Sequence, residues 1–372
     1  CDVILDEIHT YSEMMQAIVL KMIEVMNNVG CRIHVGTATM PSVLEQAILN
    51  LLGRDNTQYV DLPENVLDSF NRHIIHKAET FTELLPIVQQ AVCEEQKILI
   101  VCNRVANAQT IYELMEEIYP QVDKMLIHSR FRRKDRNRLE KELKEVYDKS
   151  LHGCIVVSTQ VVEVSLDISF DLMITEAAPI DALIQRFGRI NRRRTTTSVA
   201  ERKYKPVYVL APPATRTECL PYSQDVLEQS YKVLPSNSLL REVELQKLID
   251  EVYSKVSDVD ISLDAVFVDG KWRLRKLRHL PKSAFVEKLD IDSIACITQE
   301  DDETGRYLNA TFEERIQMEI PMRYSSLQWK KLKQLSVGSQ PFVIPDVAYS
   351  IEKGVDFSKI GAEYYGTNSQ FI

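Results

Sequence analysis

Two adjacent acids follow three apolar residues near the start of this chain, in the order Val3-Ile4-Leu5-Asp6-Glu7-Ile8-His9. In a strand that ends there, Asp6 can hold Mg²⁺ through water while Glu7 orients the water that attacks a γ-phosphate. Acids also end strands simply because solvent begins there, so the pair alone leaves both readings open. Chemistry of this kind needs a loop whose backbone N–H groups cradle phosphates, Gly-x-x-x-x-Gly-Lys-[Ser/Thr]. The sequence has none, for its one Gly-Lys pair, Gly270-Lys271, precedes Trp272.

Three further stretches carry polar groups at the ends of apolar runs. In Gly36-Thr37-Ala38-Thr39-Met40-Pro41 the hydroxyls can bond a neighbouring strand's carboxylates, or the segment can be a helix entry with Pro41 and Ser42 as start signals. The run Thr159 to Asp167 follows apolar Ile155–Ser158; its polar groups can touch a nucleic-acid backbone and Asp167 a ribose, or it is a turn with one buried acid. Gln185-Arg186-Phe187-Gly188-Arg189-Ile190-Asn191-Arg192 spaces three arginines three apart, which on a helix end makes one ridge of guanidinium groups suited to a phosphate in transit. A solvated basic face has the same spacing. Between Ser129 and Arg138 six basic residues oppose one acid; they can grip phosphates at a helix N-terminus, although Glu140, Glu142 and Glu145 fit a salt-laced helix face as well.

The elements that must position these residues alternate. Apolar runs at Val3–Leu5 and Arg32–Val35 interleave with helical patterns at 12–28 and 42–52, the signature of a mainly parallel sheet flanked by helices. After a polar link at 56–71 the pattern resumes with strands expected at 98–102, 125–128, 155–158, 172–175 and 207–210. Helices are expected at 80–94, 107–118, 132–147 and 180–187, and the polar 192–204 reads as an exposed loop. Helical stretches at 226–234 and 239–256, then short strand-like runs at 265–268 and 272–277, predict a small α+β appendage. The expected domains are 1–65, 66–222 and 223–372. Tyr349, Gly354, Tyr364, Tyr365 and Gly366 read as its packed closing element.

Composition fits a cytosolic protein. The chain has 372 residues and a net charge of −9, so the basic stretches are local fields rather than a general coat for nucleic acid. No run of about twenty apolar residues can cross a membrane. Seven scattered cysteines without a C-x-x-C pair support neither a disulfide framework nor a zinc site.

The order of these signals, Asp-Glu-x-His, Thr-Ala-Thr, His128-Ser129-Arg130-Phe131, Thr159-Gln160 to Asp167, and Gln-Arg-x-Gly-Arg-x-x-Arg, resembles superfamily 2 helicases from the Walker B motif onward. More narrowly, Thr-Gln-Val-Val-Glu-Val-Ser-Leu-Asp-Ile, Ala178-Pro179-Ile180-Asp181-Ala182-Leu183-Ile184-Gln185-Arg186 and Gly-Arg-Ile-Asn-Arg resemble the CRISPR-associated helicase-nuclease of type I systems. The resemblance covers roughly residues 1–212. It implies an α/β chain with part of a first RecA-like domain, a complete second one of the P-loop NTPase fold, and a C-terminal accessory domain that caps a DNA channel. It further implies ATP and Mg²⁺ as cofactors, translocation on single-stranded DNA, and recruitment by an RNA-guided, Cascade-like surveillance complex.

Residue by residue, the resemblance implies that Asp6 coordinates Mg²⁺, that Glu7 positions water, and that His9, Thr37 and Thr39 couple to DNA. Gln185 would sense nucleotide beside Arg186, Arg189 and Arg192 would be arginine fingers, and Asp167 would lie near the ribose. His128, Ser129, Arg130, Thr159 and Gln160 would meet DNA. Ser165-Leu166 stand where many relatives have glycine before the aspartate, and neither a Walker A loop nor the His-Asp pair of the family's nuclease occurs. The isolated chain is therefore expected to lack ATP turnover, with a Walker A half and an HD nuclease as partners. The competing readings are a nucleotide-independent DNA- or partner-binding module and a superfamily 2 RNA helicase.

Overall fold

The computed structural model describes residues 1–8, 13–37, 39–150, 152–163, 167–255, 265–268, 271–274, 293–327 and 330–361. The first unit is small. Strand β1 (Asp2–Asp6) lies parallel to β2 (Arg32–Gly36), with Asp6 opposite Gly36. Helices Glu13–Asn28 and Ser42–Leu52 bury Val19 with Ile23 and Leu44 with Ile48, pairs spaced by four that share a helix face, and Ile8 joins them in one core.

The second unit is built on seven strands: β3 (His73–Ala78), β4 (Lys97–Val101), β5 (Asp123–Ile127), β6 (Cys154–Ser158), β7 (Leu172–Thr175), β8 (Lys205–Leu210) and β9 (Ser238–Leu240). Their order is β5-β6-β4-β7-β8-β3-β9, and all neighbours are parallel except β3 and β9. Every residue of β6 and β7 is buried, because helices cover both faces of the sheet. One core holds Leu99, Val156 and Met173 on one face; the other holds Ile98, Ile100 and Ile174.

Several boundaries differ from the pattern of the sequence. Strand β3 was not anticipated, because two histidines and a lysine interrupt its apolar alternation, yet His73 and Ile75 face inward. The helix expected over 239–256 is instead β9, a 3₁₀ turn and a helix Leu245–Val252; Leu240 and Ile249 belong to the main core, so the second unit continues past residue 222. The loop at 192–204 contains a short helix Thr196–Ala200, which Thr195 caps through Ser198. The helix Arg133–Glu142 runs into one π turn, Leu143–Tyr147.

The C-terminal unit centres on a strand Ser293–Thr298, paired antiparallel with Ile320–Arg323 and parallel with Phe342–Ile344. Short helices between these strands give the α+β character expected for it. Tyr364, Tyr365 and Gly366 lie outside the described residues. Among the described residues no helix is long and apolar enough to cross a membrane, and no cluster of three metal-ligating side chains occurs.

Candidate nucleotide and nucleic-acid site

The carboxyl end of β1 presents its two acids differently. Asp6 is exposed, whereas Glu7 is half-buried and leaves the strand at a φ of 49°, in the left-handed region that non-glycine residues seldom adopt. Its N–H donates to the Gly36 carbonyl at 3.0 Å, which ties the turn to β2. Thr37 Oγ1 donates to Glu7 Oε2 at 3.4 Å, and the N–H of buried Thr39 donates to Thr37 Oγ1 at 3.3 Å. Hydroxyls at the end of one strand thus sense the carboxylate at the end of its neighbour. His9 lies outside the described residues.

This edge is bonded to the second unit. Asp250 accepts from the Ser42 N–H and Oγ, both at 2.7 Å, and so caps the helix Ser42–Leu52 with a negative charge. Gln246 donates to the Met40 carbonyl at 3.0 Å. From the end of that same 245–252 helix, the Tyr253 hydroxyl donates to Asp181 Oδ1 at 2.5 Å, in the first turn of the helix Ile180–Phe187. The Thr37–Ser42 segment is therefore linked through one helix to the helix that carries the arginines.

That arginine helix follows Pro179 and buries Ile180, Leu183 and Phe187. It ends at Phe187, and tight turns follow: Arg189 N–H to Arg186 O and Ile190 N–H to Phe187 O, both 2.9 Å, then Asn191 at a φ of 52°. The three arginines consequently do not form the single ridge expected from their spacing. Arg186 points into the protein and is 0% exposed, with Glu163 Oε1 and Thr175 Oγ1 at 2.8 Å and Asn103 Oδ1 at 3.0 Å. Its donors are spent on the fold, which corrects its expected place beside a nucleotide. Burial raises the Glu163 carboxyl, and the Arg186 charge offsets part of that shift.

Arg189 and Arg192 stand further out. Arg189 Nη2 donates to the Glu163 carbonyl at 2.6 Å, and burial followed by the charge of Arg192 lowers its proton affinity. Arg192 pairs with Asp167 at 2.7 Å on the surface. Asp167, expected near a ribose, thus holds an arginine at the surface. Gln185 is half-buried on the same helix. The sequence reading missed Asn103, Glu163 and Thr175. Glu163 alone carried a signal, an acid within the apolar run Val161-Val162-Glu163-Val164 that requires a buried partner.

The segment after β5 also departs from expectation. His128 is 0% exposed; its Nε2 meets the Lys353 carbonyl at 3.1 Å, and its Nδ1 accepts the Arg130 N–H at 3.1 Å. The C-terminal unit covers it, so it offers DNA no surface, a correction of its expected contact. Gly354 is needed at this cover, because at its φ of 66° a Cβ would stand 2.6 Å from both the Arg130 carbonyl and His128 Cε1. Arg132 is also engaged, with Asp301 at 2.8 Å and Thr298 at 2.6 Å. Ser129 is exposed and Arg130 half-buried, whereas Thr159 is buried and Gln160 donates to the Asn103 carbonyl at 2.9 Å.

Both buried histidines give a pH dependence. Burial lowers His73 and His128 to about 3, with the Arg72 charge adding to the effect at His73 and the Lys353 carbonyl opposing it at His128. Unfolded, each titrates near 6.5, so between about pH 6.5 and 3 the unfolded chain binds more protons and stability falls as pH falls. Denaturant titrations of this chain should show a loss approaching roughly 1.4 kcal/mol per pH unit per histidine over that window, reduced in His128→Gln.

With this geometry in place, the comparisons with known proteins are specific. Residues 94–195, which span β4 to the arginine turn, match the family described as CRISPR-associated nuclease/helicase Cas3, C-terminal. The chain carries a Cas3-like helicase region. The CRISPR-associated nuclease/helicase Cas3 of Methanothermobacter thermautotrophicus is 31% identical over 268 residues, covering 68% of this chain and 31% of that protein. The chain thus spans about a third of that curated relative. Among solved structures, T. fusca Cas3-ADP superposes with a TM-score of 0.68 at 18% identity, over 95% of this chain and 52% of that one. A chain of a CRISPR RNA-guided surveillance complex, pre-nicking, gives 0.64 at 17% identity, over 95% of this chain and 56% of that one. These likenesses agree with the RecA-like folds expected, and the Cas3-like region is held against the C-terminal unit by the contacts of His128 and Arg132.

Proposed function

We propose that this chain is the C-terminal part of an ATP-dependent translocase on single-stranded DNA that serves type I CRISPR interference in the cytoplasm. The observation that carries the reading is the turn at Gly188–Arg192, which brings together Arg189, bonded to the Glu163 carbonyl, and Arg192, in a surface pair with Asp167, two like charges that an incoming phosphate would bridge. In this reading Arg189 and Arg192 stabilise the γ-phosphoryl charge, Arg192 exchanging its surface bond to Asp167. Gln185 senses the nucleotide, and Arg186 braces the turn from within.

The residues of the first unit fit one side of a Mg²⁺–ATP site. Asp6 is open to solvent, as a ligand acting through water must be, and Gly36 leaves its Oδ1 clear, since even an added Cβ would stay 3.8 Å away. Mg²⁺ would supply charge neutralisation for the phosphates. Glu7 positions the attacking water, with Thr37 and Thr39 relaying its state and the Gln246–Asp250 contacts carrying that state to the second unit. A Walker A loop must come from another segment, so the working protein joins this chain to such a half, here called the intact parent. A nuclease and a surveillance complex are the further partners this reading requires. It is supported by the relatives' names and the solved nucleotide and surveillance structures to which the chain is similar. ATP turnover by the intact parent, with and without single-stranded DNA, tests it; DNA-stimulated turnover supports the reading and indifference to DNA contradicts it.

A further inference from the structure

Among the described residues strands β1 and β2 pair only with each other, so one ladder and one small core hold the first unit. Two cysteines stand at the end of this pair opposite Asp6 and Glu7. Cys1 precedes Asp2, Cys31 precedes Arg32, and Asp2 is paired with Arg32, so the register sets the two cysteines across from each other. Alternation puts them on the face that carries Leu5, Ile33 and Val35 toward the core. They are 30 residues apart along the chain, so no local spacing marks the pair.

Backbone bonds fix both positions. The Arg32 N–H donates to the Cys1 carbonyl at 2.9 Å, and the Cys31 N–H donates to the Met26 carbonyl, near the end of the helix Glu13–Asn28, at 3.0 Å. The two Sγ atoms stand 3.1 Å apart. Reacting atoms in a near-attack geometry are about 3 to 3.5 Å apart. Neighbouring strands, about 4.7 to 4.9 Å apart, also fall within the about 4.4 to 6.8 Å that a disulfide spans between Cα atoms. Cys1 is exposed and Cys31 half-buried, so a small oxidant reaches the first while the second waits beside it. Cys102, Cys154 and Cys296 differ: all are buried, and burial raises their thiols, those of Cys154 and Cys296 to about 12, which keeps them protonated and inert.

We infer that Cys1 and Cys31 are a reversible modification site, a dithiol that a low-molecular-weight disulfide oxidises to one cross-link, which clamps β1 to β2. The Cys1 thiol loses its proton, and the thiolate attacks one sulfur of the oxidant. A mixed disulfide forms on Cys1 as the oxidant's own S–S bond breaks and one small thiolate leaves. The Cys31 thiol loses its proton in turn, and its thiolate attacks the Cys1 sulfur, which forms the Cys1–Cys31 bond and expels the second small thiolate. The two cysteines give up two electrons and two protons, and the oxidant becomes two thiols. An excess of small thiol runs the same steps backward.

The test treats this chain with glutathione disulfide, in a Cys93→Ser background that removes the other exposed thiol, then counts thiols after denaturation and maps the peptides by mass spectrometry. Seven cysteines less the substituted one leave six thiols, and oxidation should lower the count to four, with Cys1 and Cys31 in one linked peptide pair. Adding Cys31→Ser should halt the reaction at glutathione on Cys1. Hydrogen exchange supplies a second readout. Amides of β1 and β2 should exchange more than about tenfold more slowly once the link has formed, because it constrains the opened strands, and the Cys31→Ser chain should show no such slowing. A count that stays at six, or glutathione that persists on Cys1 while Cys31 is present, overturns the dithiol. A Cys1–Cys31 link that leaves exchange unchanged overturns the clamp. Thiol state is read without nucleotide or nucleic acid, so it can fail while the translocase reading stands, and the reverse.

Discussion

Arg189→Ala in the intact parent should lower DNA-stimulated ATP turnover by about 10³ to 10⁵, the range associated with arginine fingers, while single-stranded DNA affinity stays within about twofold. The expectation rests on where the guanidinium is held. The side chain donates to the Glu163 carbonyl at 2.6 Å, on the loop that also braces Arg186, which fixes its position at the turn. Arg192 differs in degree. Its bond to Asp167 is at the surface, where such pairs are worth about 0 to 1 kcal/mol, so it can be surrendered to a phosphate at little cost. Steady-state turnover and anisotropy on the same preparation check the split. Equal loss of DNA affinity would place Arg189 in the nucleic-acid track, and unchanged turnover would remove it from the chemistry.

Arg186→Ala should act on the fold instead. It strands a buried carboxylate at Glu163 and unpairs Asn103 and Thr175, and breaking a buried pair in this way costs about 3 to 5 kcal/mol. Denaturant unfolding of the chain itself measures the loss, so no nucleotide is needed. Pairing Arg186→Met with Glu163→Leu should recover most of it, because the uncompensated charge is gone. A single variant as stable as the parent chain would return Arg186 to the nucleotide side of the turn.

The contrast between these arginines shows what the sequence could convey. Spacing placed Arg186, Arg189 and Arg192 together, and the alternation of apolar runs found seven of the nine strands of the first two units. Which arginine faces inward depends on Glu163, Asn103 and Thr175, whose distance along the chain hides them from any local pattern. Strand β3 was hidden by His73, His76 and Lys77, because a strand lying between two others can bury a histidine against a carbonyl, as His73 does with Ile190 at 3.2 Å. His128 was misjudged for a similar reason. Its neighbours Ser129 and Arg130 advertise a polar surface, and only the fold brings Lys353 and Gly354 over the ring.

The cross-unit link from Ser42 through Asp250 and Tyr253 to Asp181 was equally invisible, since its partners are far apart in the chain. In the proposed reading it is the route by which Thr37 and Thr39 would couple to the second unit. A change at the Glu7 carboxylate has a bonded route to the arginine helix.

In the proposed reading the Asp6–Glu7 edge and the Arg189–Arg192 turn are two parts of one ATP site driven by a single strand. ATP turnover measured side by side for the intact parent and for this chain alone, each with no nucleic acid, oligo-dT or oligo-rU, tests it most directly. The chain alone should show no turnover, and turnover by the parent should rise with oligo-dT. Turnover by the chain alone, or parent turnover that is the same in all three conditions, would contradict it.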